Sequence, residues 1–475
     1  MRKNVSPWLH QLDTTRAHEE LHRDIETDVA IVGAGIAGIS TAFEILEKTT
    51  KKVAVLERWK IAHGATGHNA GQVVAHFERG LRSLSDEFGL ELAAKGQKDV
   101  EDAWDILDHI YAKAKLEIPY FKFMGRTGFT SAEQVMLRLE NNRLRKEAGL
   151  HIERIFIRED AGFVSRIPHR YVGLYSLVKR EKILDLLETT RSDFIAVLSY
   201  QKGVINSALF CEKVVAFLAK EYEDRFAIYE HSPIGKIALH SDHAVLDAGK
   251  HAVRAARVVL CTNGFENLRI FNESGLDIDT KYHYLVTGKT GYMSGYLEKN
   301  NKPPVAISYF TDPGIQEDNS YFYLTRRPYE YEKGVQHNLI SIGGPDVSIE
   351  DTTPYSREDD YPEEHAKDID DFITSTYDTE PNKKIDYVFT WHGLMGYTKN
   401  GVRLVGPEPK NPVLLYNLGC NGIGILPSLH GASKIARHIK GEKVGRSIFD
   451  VPASAKPTTP QAPSTIATFL ARLGF

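Results

Sequence analysis

Three glycines and one acid hold the spacing through which chemistry first becomes visible in this chain. Gly33, Gly35 and Gly38 follow the apolar run Val29, Ala30, Ile31, Val32, and Glu57 closes a second run, Val53 to Leu56. A glycine at 33 permits a tight turn, one at 35 leaves the backbone bare for a pyrophosphate, and one at 38 lets the next helix approach the strand. The helix start at Ile36 and Ala37 would present free N–H groups and a partial positive charge to that diphosphate. Glu57 lies about twenty residues on, where a carboxylate accepts bonds from an adenosine ribose, and its charge disfavours NADP. A glycine pattern alone is weak, because turns of any kind use glycine. Strand, glycines, helix, strand and acid in that order predict one dinucleotide cradle.

The elements that must position these groups are legible around them. The short unbroken apolar runs suit parallel strands buried on both faces. Ile36, Ile39, Phe43 and Leu46 form one helical stripe, leaving Glu44, Glu47 and Lys48 for water. After Glu57, the polar, helix-poor stretch RWKIAHGATGHNAGQVV is expected to wrap a ligand. Residues 86–150 read as helical, with Ser207 capping a later helix. Val258 to Cys261 form a buried strand whose carboxyl end carries Thr262, Asn263 and Gly264, where ligands of open α/β sheets gather. From 283 to 344 strand-like segments succeed one another without helices, as in an antiparallel sheet, and Tyr321 and Tyr323 alternate there with Phe322. The acidic stretch SIEDTTPYSREDDYPEEHAKDIDD reads as a solvated loop entering a helix, with no catalytic role. YNLGCNGIGILP then repeats strand, turn and helix start, which would expose N–H groups to a second electron-rich part of the ligand.

The totals bound the remainder. At 475 residues, 42% hydrophobic and 26% charged, the chain fits two globular domains. A formal charge of -4 and scattered basic residues leave no footprint for nucleic acid. No apolar run reaches the roughly twenty residues of a membrane span, so a cytoplasmic location is expected. Cys211, Cys261 and Cys420 are odd in number and far apart, which predicts reduced thiols and no redox pair. No metal site is expected. The Pro-rich segment VPASAKPTTPQAPS and the tail TIATFLARLGF read as a linker and an amphipathic end that docks on the protein's own surface or on a partner.

Taken together, these blocks resemble the D-amino-acid oxidase family of flavoproteins, which includes glycine, sarcosine and γ-glutamylputrescine oxidases. VAIVGAGIAGISTA with Glu57 is similar to the family's FAD fingerprint, GATGHNAGQV to its flavin-wrapping loop, and VVLCTNGF to its second adenine-side strand. WHGLMGYTKNGVRLVGP and NLGCNGIGILPSLHGASKIARHIKG resemble its closing segment, which lies against the flavin ring. The resemblance implies an α/β (α+β) fold in which a Rossmann-like FAD-binding domain, residues 24–80, 203–268 and 390–448, is interleaved with a substrate domain. That domain would comprise a helical region, 81–202, and an antiparallel sheet, 269–389, with 449–475 as linker and tail. The cofactor implied is FAD. Its binding set adds Arg58, Gly64, Ala65, Thr66, His68, Asn69, Ala70, Gly71, Gln72, Ile234, Thr262, Asn263, Gly264, Trp391, Gly393, Gly422, Ile423, Gly424 and Ile425 to the cradle residues. His68 stands where related enzymes attach FAD covalently, but Gly67 and Asn69 depart from their loop and favour a noncovalent flavin. The activity implied is oxidation of the C–N bond of a small amine or amino acid, with Tyr323 and His392 at the substrate. Arg326 is expected to clamp a substrate carboxylate, because a guanidinium fork binds both oxygens. The alternative is a flavin-binding scaffold without catalysis, since a fold does not fix a chemistry.

Overall fold

A computed structural model describes residues 4–265, 267–299, 302–311, 321–349, 352, 355–377 and 385–453. Two sheets organise it. The first has nine strands, and at its centre Ile25–Val32 lies parallel between Val53–Leu56 and Ala252–Leu260. Phe226–Tyr229 extends it beyond Val53–Leu56, and Asn411–Leu418 joins Ala252–Leu260, both in parallel. Alternation along the central strand divides two cores. Val29 and Ile31 enter one with Ile39, Phe43, Leu426 and Ile435, whereas Ala30 and Val32 enter the other with Val258, Leu260 and Leu414. The apolar runs are therefore unbroken because both faces of these strands are covered.

The helices Ile36–Lys48 and Ile425–Ile439 pack side by side against the first core. Gly38 shows why only glycine serves at the helix crossing, since a Cβ there would sit 1.8 Å from the Gly33 carbonyl oxygen. The expected solvent face of the first helix needs one correction. Glu44 is 1% exposed and is held by Lys48, one turn on.

The second sheet has eleven strands, including Val286–Lys299, Val335–Gly343, Phe322–Glu332 and Val305–Phe310 in antiparallel succession. It also draws strands from segments read otherwise in the sequence. Residues 81–202 hold the helices Leu81–Phe88, Leu90–Glu101, Ala103–Lys113 and Ala132–Glu147, but also the strands Tyr120–Phe129, Arg154–Arg158, Ser176–Val178 and most of Ala196–Ile205. Tyr120–Phe129 pairs along its whole length with Ala196–Ile205, and that long-range pairing outweighs the helical stripes of its neighbours. The expected boundaries also shift: Gln72–Val74 and Tyr387–Thr398 belong to the second sheet, and Arg269–Asn272 to the first. The cap of Ser207–Glu221 is Asn206, whose side chain accepts from the Ala208 and Leu209 amides. Phe449 and Val451 are buried in the two cores rather than opening a linker, while the tail lies outside the described residues.

The N-terminal segment, silent in the sequence, braces the site. Trp8 is fully buried; its ring touches Gly71, carries the Arg327 guanidinium 5.0 Å above it, and its indole N–H donates to the Asn69 carbonyl at 2.5 Å. Trp8→Ala is expected to cost about 3–5 kcal/mol, as for other buried aromatics, measured as a drop in urea midpoint at unchanged slope. A loss within about 0.5 kcal/mol, the range of surface substitutions, would contradict this bracing role.

Candidate functional site

Both helix starts open onto one cavity of about 290 Å³ at the carboxyl ends of the parallel strands. Gly35 is the N-cap of the first helix and Gly424 of the second, and neither has a side chain to bond the free amides. Both line the cavity. The bare N–H groups and dipoles of two helices thus converge on a common space, which suits an electron-rich ligand with two such regions.

The cradle is shaped by close approach. Gly33 has φ +104°, and a Cβ there would lie 2.9 Å from the Cys261 carbonyl oxygen; a Cβ on Gly35 would lie 2.9 Å from Thr66 Oγ1. Thr66 itself accepts the Ile36 amide at 3.0 Å, which ties the wrapping loop to the first helix. Glu57 stands at the rim, its carboxylate accepting the Ala34 and Trp59 amides at 2.8 and 2.9 Å. Burial raises its pKa above the usual carboxylate value.

The loop from Gly64 to Gln72 is held from outside the cavity. The Asn69 carbonyl accepts both the Trp8 and Trp391 indoles, the latter at 3.3 Å, and Asn69 Oδ1 accepts the Gly71 amide at 2.7 Å. His68 Nδ1 donates to the Gly64 carbonyl at 2.9 Å, and burial lowers the His68 pKa to about 4, so the imidazole is neutral. Opposite, the Asn263 side chain accepts the Cys420 amide at 2.9 Å and joins the Thr262–Gly264 turn to the loop before the second helix. In that loop Asn421 and Gly422 adopt left-handed conformations.

Of the residues expected to bind the cofactor, Gly33, Gly35, Ile36, Ala37, Glu57, Arg58, Gly64, Ala65, Thr66, His68, Asn69, Ala70 and Gln72 line the cavity. So do Thr262, Asn263, Gly393, Gly422, Ile423, Gly424 and Ile425. The others act at one remove or elsewhere. Gly38, Gly71 and Gly264 are close-packing positions, against Gly33, Trp8 and Val286 respectively. Trp391 is buried in the first core and meets the site only through its bond to the loop. Ile234 packs in the second core and does not line the cavity.

Two of the three expected substrate residues are corrected. Arg326 lies on the opposite face of its strand from Tyr323, in a two-pronged pair with Glu188 at 2.6 and 2.9 Å. Its remaining donors go to Tyr377 Oη and the Pro303 carbonyl, so it is a structural ion pair and not a clamp at the cavity. His392 is 2% exposed; Nε2 donates to the Asp359 carbonyl and Nδ1 accepts the Tyr355 hydroxyl, each at 3.0 Å. It positions Tyr355, which does line the cavity. Tyr323 lines the cavity as expected, with Tyr321 beside it, while the intervening Phe322 stacks on Phe372 on the other face.

Sequence reasoning missed the charged groups of the cavity. Glu78 and Asp346 line it; burial lifts their pKa values to about 7 and about 6. Lys202 is 2% exposed, and burial lowers it to about 7. Its ammonium donates to Gln72 Oε1 and Ser308 Oγ, both at 3.3 Å, and lies 5.2 Å from the centre of the Tyr200 ring. Arg403 is taken up by Asn417 and the Gly419 carbonyl. The only sequence signal for Lys202 was its position in a strand that read as helix, and Asp346 stood beside a stretch dismissed as solvated.

A family model described as FAD dependent oxidoreductase matches residues 28–437. A probable oxidoreductase, OrdL, of Haemophilus influenzae is 35% identical over 95 residues, 20% of this chain and 22% of that protein, so the match spans under a quarter of the relative. Glycine oxidase from Geobacillus kaustophilus shares the fold with a TM-score of 0.63 at 15% identity, over 91% of this chain and 99% of that one. L-α-glycerophosphate oxidase from Mycoplasma pneumoniae, solved with FAD bound, gives 0.59 at 14% identity over 90% and 99%. The donor set fits FAD: two helix starts with glycine at the N-cap, a glycine cradle that a Cβ would fill, and an acid at its rim.

Glu57→Lys should therefore lose FAD, because the cation removes the acceptor and disturbs the Ala34 and Trp59 bonds; weakening of about 2–5 kcal/mol is expected at a desolvated site. Flavin-to-protein absorbance after gel filtration measures it, and an unchanged ratio would count against the cradle. Because Gly67 and Asn69 depart from the loop of enzymes that attach FAD covalently, the flavin is expected to be noncovalent. Trichloroacetic acid should leave the yellow colour in the supernatant, and colour in a pellet that His68→Ala clears would reverse that conclusion.

Proposed function

The chain belongs to the FAD-dependent oxidoreductase family, and on that premise we propose that it oxidises the C–N bond of an amine or amino acid. The observation that carries this reading is the pair of glycine-capped helix starts facing one cavity whose other wall is a sheet bearing tyrosines and ionisable side chains. Gly33, Gly35, Ile36 and Ala37 would hold the pyrophosphate, Glu57 the ribose, and Gly422 to Ile425 the electron-rich edge of the ring. When bound, FAD supplies a two-electron acceptor for hydride.

The chain's own residues then have separable tasks. A neutral amine gives up hydride from its α-carbon while its lone pair forms the C=N bond; water later hydrolyses the imine to a carbonyl compound and ammonia or an amine. The substrate must therefore shed a proton before reaction. Water takes that proton before the amine enters, and the carboxylate of Glu78 lines the cavity it enters. The Tyr321 hydroxyl, which donates to Glu78 Oε1 at 3.1 Å, orients that carboxylate. Met293, Met395 and the tyrosines provide an apolar lining that keeps the reacting atoms from bulk water. The second helix start is aimed to stabilise negative charge on the reduced ring.

Anaerobic mixing with a panel of amines and amino acids should bleach the flavin for at least one compound, followed in the 450 nm band. Parallel assays by peroxide release and by dye reduction identify the acceptor. If no compound bleaches a flavin that dithionite reduces normally, the protein is a flavin-binding scaffold and the catalytic reading falls.

A further inference from the structure

Among the described residues, the sheet-side end of the cavity is rich in hydrogen-bond acceptors and poor in donors. Glu78 Oε1 and the Tyr397 hydroxyl meet at Gly422, where a Cβ would lie 2.9 and 2.7 Å from them. Tyr397 in turn donates to Asp346 Oδ2 at 3.2 Å. Asp346 Oδ1 and the Tyr323 hydroxyl both border Gly291, 3.2 and 3.8 Å from its Cβ position. The Asp346 carboxylate opposes ionisation of Glu78 and is, after burial, the largest cause of the rise there. Neither has an ion-pair partner among the described residues.

Nearby cations act on these carboxylates only through space and make their direct contacts elsewhere. Lys202 bonds Gln72 and Ser308, Lys289 lies 4.4 Å above the Tyr397 ring, and Arg138, in the adjoining side pocket, lies over the Phe129 ring. Arg326, the one cation placed by sequence to receive a carboxylate, is paired with Glu188 on the far face. Two neutral groups add to the acceptor surface without a partner of their own among the described residues. The Tyr323 hydroxyl makes no hydrogen bond, and His76, lowered to about 3 by burial and therefore neutral, meets only the edge of Tyr200.

Two like carboxylates, an unpartnered hydroxyl, a neutral imidazole and aromatic faces form a complementary surface for an ammonium group and a hostile one for a carboxylate. The amine that is oxidised must be neutral when it reacts, so it cannot supply the lasting positive charge these groups call for. Resting on the amine-oxidation reading, we infer that the substrate carries a second cationic centre and no carboxylate, as a diamine or longer polyamine does, with Glu78 and Asp346 as its acceptors.

The test compares putrescine, butylamine and 4-aminobutyrate, which share a four-carbon skeleton and differ at the far end, on the FAD-loaded protein. Putrescine should bleach the flavin at least about tenfold more efficiently than butylamine, and 4-aminobutyrate should be the poorest. Glu78→Gln and Asp346→Asn should each shrink the putrescine preference about tenfold, the scale of one charged hydrogen bond. FAD content of each variant, read after acid release, checks that the site has folded. A preference for 4-aminobutyrate or butylamine over putrescine would overturn the inference, as would an undiminished putrescine preference in both variants. If none of the compounds bleaches the flavin, the amine-oxidation reading is what has failed. Equilibrium titration of the flavin spectrum with putrescine then decides the cation site, which is refuted by absent binding or by equal affinity in both variants.

Discussion

Amide groups without partners inside their own helices, at two helix starts that open onto one cavity, are the constraint on which the rest of the structure depends. Each helix leaves several N–H groups without internal partners, and a side-chain cap would satisfy them at the expense of any ligand. Glycine at 35 and 424 withholds that cap. The parallel pairing of Ile25–Val32, Ala252–Leu260 and Asn411–Leu418 sends their carboxyl ends, and hence both following helix starts, to one edge of the sheet. The positive end of each helix then adds to the field of the other across the cavity they share.

Rigidity at this point is supplied from outside the cavity. The wrapping loop has little regular structure of its own beyond a single 3-10 turn at Ala65–Gly67, so its shape is imposed by donors around it. Trp8 and Trp391, from opposite ends of the chain, share one acceptor, the Asn69 carbonyl, and fix the loop between the N-terminal segment and the Tyr387–Thr398 strand. Thr66 connects the loop forward to the first helix, and Gln72 carries it into the second sheet by donating to Thr325 Oγ1 at 2.7 Å. The second sheet is thus joined to the nucleotide cradle through the very segment that wraps the ligand.

Burial has opposite consequences on the two faces of the second sheet. On the face away from the cavity, Arg326 is paired with Glu188 and the pair is chemically closed. On the cavity side, Glu78, Asp346 and Lys202 are desolvated without ion pairs among the described residues, and their pKa values move toward neutrality. Removing charged groups from water without compensation is unfavourable. Such an arrangement is retained where a ligand completes it, and it leaves proton-exchanging groups poised near neutral pH.

The sequence by itself determined the nucleotide half of the protein. Its signals are local: an apolar run, three glycines, a helical stripe and an acid all lie within Val29 to Glu57, and each has a backbone requirement that few residues meet. The second glycine-rich turn at Gly419 to Gly424 was legible for the same reason. What only tertiary structure decided was the pairing of distant segments and the direction of side chains. Tyr120–Phe129 is a strand because Ala196–Ile205 lies beside it, not because its own pattern demands one. Arg326 and Tyr323 stand three residues apart, and a period of two sends them to opposite faces, so one pairs with Glu188 and the other reaches the cavity. Lys202, Glu78 and Asp346 come from remote parts of the chain, and their altered acidity arises from shared burial, a property no residue carries in its sequence position.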